Sequence, residues 1–114
     1  LDGKETDLVE IPSKWELDDY VAQAYSVYPA EPAGLDRISC YRNVQDNDLR
    51  EFRGYYDMGL SIAFLMHPQI SGAPGRNLVL EEVLKEVTSH KDVWVATGSE
   101  VAEYWRKAHP RKED

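Results

Sequence analysis

The chain has 114 residues, enough for one modest hydrophobic core and too few for a binding domain beside a catalytic one. Thirteen Lys and Arg against twenty-one Asp and Glu leave a formal net charge of −8, which argues against nucleic acid or an anionic membrane as the main partner, since both are held by basic patches. The composition, 42% hydrophobic and 30% charged, is that of a folded globular protein; no run approaches the ~18 apolar residues of a membrane span, and the single Cys40 excludes an internal disulfide and a cysteine-rich zinc module.

Residues 1–7 are a polar lead-in that begins at Leu1 rather than methionine and carries no leader pattern, so the chain reads as a processed piece or part of something longer. Leu8, Val9 and Ile11 before Pro12 predict a short strand that the proline ends. Residues 13–34 mix aromatic and apolar positions with Pro29, Pro32 and Gly34, which predicts a long loop with one helical turn. Loops of that length in a compact chain are usually lids or partner surfaces.

A helix is predicted over 46–58, with Asp46 as N-cap, an apolar stripe of Leu49, Phe52, Tyr55 and Tyr56, and Gly59 as the stop. Residues 60–66 (LSIAFLM) are short, apolar and rich in branched side chains, the pattern of a buried strand, and end at His67-Pro68. A polar turn over 69–75 leads to a second helix over 76–90, whose expected apolar face is Leu80, Val83, Leu84 and Val87. Residues 93–96 predict another buried strand. Thr97 with Glu100 three positions later is a capping-box signature opening a last helix through Lys107, and 108–114 form a polar tail.

The alternation of helix and strand after Asp46 is that of a parallel α/β sheet with crossover helices. Two or three parallel strands cannot close a barrel and would leave an open apolar edge. The expected architecture is therefore the end of a larger α/β barrel, 8–107, incomplete without an N-terminal segment or a second chain.

His67 would lie at the carboxyl end of a parallel strand, the face where α/β barrels carry reacting groups. His90 at a helix C-terminus reads as structural, and His109 in the tail as incidental. In Trp15-Glu16-Leu17-Asp18-Asp19 the paired carboxylates suit three roles: holding a metal, orienting a histidine, or capping a helix. Arg76 follows a glycine-rich turn whose amides suit an anion, although a tight turn is the plainer reading. No phosphate loop, Ser/His/Asp set, zinc helix or calcium loop is present.

The segment 65–76 (LMHPQISGAPGR), followed by a helix and then 90–97 (HKDVWVAT), resembles the C-terminal part of the polysaccharide deacetylase family, in the branch with peptidoglycan deacetylase-like, allantoinase-like and cyclic-imidase-like members. The upstream LVEIP of 8–12 and WELDD of 15–19 are similar to that branch's active-site rim, and the resemblance spans about residues 7–106. It implies a distorted (β/α) barrel that hydrolyses non-peptide C–N bonds, in carbohydrate metabolism typically by removing acetyl groups from N-acetylated sugars. It further implies His67 as catalytic general acid, and Trp15, Asp18, Asp19 and Arg76 as substrate-binding rim residues. Zinc or another divalent metal would be held by the N-terminal part of such a barrel, whose aspartates and histidine pair have no counterpart here; none is expected on this chain, and Asp18-Asp19 is a later, different element. The chain alone is expected to be an inactive part of a hydrolase, working as an oligomer or with a completing segment, and without nucleic acid or membrane. The alternative is a non-catalytic subunit or interaction module derived from the same barrel. Substrate remains open between a sugar polymer and a small cyclic amide, the charge of −8 leaning towards a small or neutral one; compartment is open, with the cytoplasm slightly favoured by the lone cysteine.

Overall fold

A computed structural model describes residues 6–23 and 39–110. The chain divides into two compact units, Ser13–Val93 and a terminal unit of Leu1–Pro12 with Trp94–Asp114.

The larger unit is built on two long helices. A 3-10 turn, Trp15–Leu17, leads into the short α1, Asp19–Gln23; α2 is Tyr41–Asp57, α3 the single turn Pro68–Ser71, and α4 Pro74–Ser89. Helix α2 packs along α4. The core is Leu17, Val44, Phe52, Ile70, Val79 and Val83: Val44 and Phe52 are eight apart on α2, and Val79 and Val83 four apart on α4, so each helix turns one stripe inwards.

Helix α2 starts five residues before the position expected from Asp46. Cys40 is its N-cap, accepting at its carbonyl from the amides of Asn43 and Val44 at 2.9 and 3.1 Å. Burial of Val44 draws in the extra turn, and Asp46 instead pairs with Arg50 within the helix at 2.8 Å. The stop at Gly59 is as expected: its φ of +65° is a left-handed conformation that glycine adopts without strain. The amide of Leu60 reaches the Tyr55 carbonyl at 2.9 Å and that of Gly59 the Tyr56 carbonyl at 3.0 Å, which is the Schellman arrangement.

Helix α4 begins at Pro74, where the missing N–H costs nothing in the first turn. Its most buried positions are Val79 and Val83; of the expected face Val83 is buried, Leu80 and Val87 are half-buried, and Leu84 is exposed. The C-terminal end is tied to α2: Arg53 pairs with Glu86 at 3.3 Å, the Tyr56 hydroxyl donates to Asp92 at 3.0 Å, and the His90 ring lies 4.4 Å from that of Tyr56. His90 is the C-cap of α4, the helix-end position expected of it.

The predicted strands are corrected. Among the described residues there is no strand: 8–11, 60–66 and 93–96 form no ladder, and 60–66 makes only one parallel bridge, between Leu65 and Asp18. A strand exists through a ladder of hydrogen bonds to a neighbour, and among the described residues these segments find no such partner. None of the side chains expected to be buried in 60–66 and 93–96 is fully so: Leu60 is 53% and Val95 72% exposed, while Ile62, Phe64 and Val93 are half-buried. The turn expected over 69–75 is partly helical, and Gly72 after α3 is required because a Cβ there would collide with the Pro68 carbonyl. The long loop of 13–34 resolves into the 3-10 turn and α1 as far as Gln23; its remainder lies outside the described residues.

In the terminal unit the expected last helix is α5, Gly98–Ala108. Its capping box is complete: the Thr97 amide donates to Glu100 at 2.7 Å and the Glu100 amide to the Thr97 hydroxyl at 3.3 Å. Helix α5 buries none of its residues; Trp94 and Tyr104 meet edge to face at 5.6 Å.

Candidate functional site

Three segments distant in sequence converge on one carboxylate. The parallel bridge sets the register: the Leu65 amide donates to the Leu17 carbonyl at 2.9 Å, and the Asp19 amide to the Leu65 carbonyl at 3.1 Å. This places Asp19, first residue of α1, against His67, which has the extended backbone that a following proline favours (φ −107°, ψ 125°). Pro68 then opens α3 and brings Ser71 back one turn later.

The Asp19 side chain is almost wholly buried and receives four hydrogen bonds. Its Oδ1 lies 2.7 Å from His67 Nδ1. Its Oδ2 accepts from the His67 amide at 2.9 Å, the Ser71 amide at 3.2 Å and the Ser71 hydroxyl. Burial by itself would raise the Asp19 pKa, but the donors from Ser71 and from the His67 backbone and ring outweigh it, so the carboxyl sits below its usual value. An ionised Asp19 requires the His67 proton on Nδ1, which leaves Nε2 as the free nitrogen. The His67 side chain is 31% exposed, and the Tyr20 ring lies 5.5 Å from it.

Asp18 and Asp19, interchangeable in sequence, do different work. Asp18 Oδ1 accepts from the Tyr20 amide at 2.8 Å, a cap on α1, and stands 3.6 Å from His67 Nδ1. Asp19 orients the histidine. Ligand atoms of Asp18, Asp19 and His67 lie within 4.8 Å of one another, but the set does not fit a resident cation. Both oxygens of Asp19 are already engaged by N–H and O–H donors, and Nδ1 of His67 points at Asp19; a metal would have to displace these bonds.

Trp15 lies in the 3-10 turn and is 77% exposed. Arg76, in the first turn of α4, lines a cavity of about 180 Å³ together with Asp18, Asp19, Gln23, Asp48 and Ser71. His67 is not among the residues lining it. Two polar atoms among the described residues, Arg76 Nε and Gln23 Oε1, are buried without a hydrogen-bond partner. Asp48, between Val44 and Phe52 on the inward stripe of α2, is buried; that burial pushes its carboxyl up to about 6, with the charge of Asp19 adding to the rise and Asn47 opposing it.

Ser71, Tyr20 and Asp48 escape sequence reasoning. Ser71 carries the one signal that could have found it, its spacing of four from His67 across a proline-opened turn, whereas Asp48 looks like any surface acid of a helix.

No family model matches the chain. It is 30% identical over 112 residues to a peptidoglycan deacetylase of Helicobacter pylori, covering 96% of this chain and 37% of that protein. It is 38% identical over 117 residues to a protein of Schizosaccharomyces pombe classed as a polysaccharide deacetylase, covering 96% and 33%. The crystal structure of a protein from Mycobacterium smegmatis, likewise classed, matches with a TM-score of 0.72 and 33% identity over 90% of this chain and 36% of that one. The chain is related to part of the polysaccharide and peptidoglycan deacetylases. It spans about a third of the length of these deacetylases. The expected fold is thus supported as a partial match to a deacetylase structure, while the described residues themselves are mostly helical.

Proposed function

We propose that this chain supplies the acid-bearing part of a deacetylase that hydrolyses the amide of an N-acetylated sugar, with His67 as general acid and Asp19 as its positioning residue. The observation that carries this reading is the 2.7 Å contact between Asp19 Oδ1 and His67 Nδ1, held by a carboxylate that is buried and fully hydrogen-bonded.

Amide hydrolysis adds water to the carbonyl carbon and then breaks the C–N bond, and the departing nitrogen must gain a proton as it leaves. His67 in its imidazolium form holds Nδ1–H on Asp19 and offers Nε2–H outwards. Transfer of that proton to the leaving nitrogen accompanies C–N cleavage, leaving a neutral imidazole, a free amine and acetic acid, which loses its proton to solvent. Asp19 keeps the ring aimed and stabilises its positive charge before transfer. The base that deprotonates water, and any divalent metal of the kind the family resemblance implies, would come from outside this chain, completing the protein as an N-terminal segment or a second subunit. Tyr20, itself exposed, stands beside the histidine ring, where the sugar would approach.

The test is acetate release from an N-acetylglucosamine oligomer by the completed protein. His67→Ala is expected to lower kcat by about 10²–10⁴-fold with KM little changed, the signature of a proton transferred only in the transition state. Unchanged turnover in the variant would remove His67 from the chemistry and leave a non-catalytic role for the segment.

A further inference from the structure

We infer that Ser71 is a positioning residue for the proposed acid: its hydroxyl fixes the rotation of the Asp19 carboxylate and thereby the tautomer and aim of the His67 imidazole. This rests on the reading of His67 as the proton donor but makes a separate structural claim.

The aspartate needs such a device. The torsion that turns a carboxylate about its last bond is broad and soft, so a single contact between Oδ1 and Nδ1 would not hold the plane. Oδ2 must be anchored. Of its three donors, the Ser71 amide is shared, lying 2.9 Å from the His67 carbonyl as well as 3.2 Å from Asp19. The His67 amide is fully directed, at 2.9 Å. The Ser71 hydroxyl is the remaining unshared donor of any strength, because its other neighbour, Met66 Sδ at 3.4 Å, is a thioether and a poor acceptor. Both Ser71 and Asp19 are buried, so water is badly placed to replace a lost hydroxyl. A carboxylate anchored at one oxygen by two fixed donors has a single orientation, and in it Oδ1 faces Nδ1.

The arrangement explains a feature that the acid reading leaves unused. Proline at the start of α3 and the glycine after it confine the turn to one helical repeat, which returns a side chain four residues after the histidine to the histidine's own partner. Ser71 acts through Asp19.

The test is a comparison of Ser71→Ala, Ser71→Thr and the parent in the completed protein. It reads kcat and KM for acetate release together with the ¹⁵N signature of the two His67 ring nitrogens. Ser71→Ala is expected to convert His67 from a single Nδ1–H tautomer to a mixture and to lower kcat about tenfold or more at little-changed KM. Ser71→Thr, which keeps the hydroxyl, is expected to restore both. A parent-like tautomer and kcat in Ser71→Ala would overturn the inference, as would a threonine variant no better than alanine. Should the alanine variant fail to fold, Ser71→Cys carries the test: it keeps the volume and replaces the hydroxyl with a weak donor, and a parent-like tautomer there would equally overturn the proposal. Failure of the acid reading is distinct, since it shows as normal turnover in His67→Ala whatever the tautomer does in the Ser71 variants.

Discussion

Asp48 and Asp19 are neighbouring buried acids with opposite effects on stability. Asp48 titrates higher when folded, at about 6, because burial disfavours its charge. The folded chain therefore holds that proton more tightly than the unfolded one, and the destabilisation is fully present above about pH 6 and fades as pH falls towards 4. Asp19 is lowered by its donors, so its stabilisation is present above the usual carboxylate range and is lost as pH falls through its folded value. Asp48→Asn is expected to raise stability by about 1–2 kcal/mol at pH 7, allowing for solvent screening, and to give no gain near pH 4. Urea unfolding at the two pH values checks this, and an equal gain at both would show that the charge is not the cause. Such differences explain how much of the site could be read from residues alone. His67 was legible because a histidine before proline after an apolar run has few ordinary reasons to be there. Asp18 and Asp19 offered a cap and a histidine partner without showing which was which, since adjacent acids diverge only when the backbone sends one to a helix cap and the other inwards. Asp48 was invisible, its burial being decided by the packing of α2 against α4.

Helices were legible where local chemistry sets them and strands were not. Gly59, the Thr97–Glu100 box and the stripe of Leu49, Phe52, Tyr55 and Tyr56 each act within one to three turns, so α2 and α5 could be placed from sequence with errors only at their ends. A strand requires a partner that may lie anywhere in the chain or outside it, and residues 60–66 find only the bridge to Asp18. With no strand among the described residues, the larger unit depends on its two long helices. Phe52, 2% exposed and packed at the Tyr56 and His90 rings, is the largest side chain in that core. Phe52→Ala is expected to cost about 3–5 kcal/mol, a large part of a small domain's stability. Equilibrium denaturation would show this as a lower midpoint, and a loss below 1 kcal/mol would mean that the α2–α4 contact is not what holds the unit.

At the scale of the whole molecule, the apolar segments expected in a barrel interior are only partly covered, and the deacetylases that resemble this chain are about three times its length. Leu60 and Leu65 in the larger unit, and Trp94 and Val95 in the terminal one, are the positions a completing segment would cover. Helix α5, with no buried residue of its own, has the same need. These observations agree with the proposed reading, in which His67 and Asp19 provide a proton donor and its support and the base for water comes from the completing segment. The most direct measurement is acetate release from an N-acetylglucosamine oligomer by the 114-residue chain alone, by the protein completed to the length of its relatives, and by the completed protein carrying His67→Gln. Turnover only in the completed protein, lost with the glutamine, is the expected result. Turnover by the chain alone, or turnover indifferent to His67, would contradict the assignment of this chain as the acid-bearing part of a deacetylase.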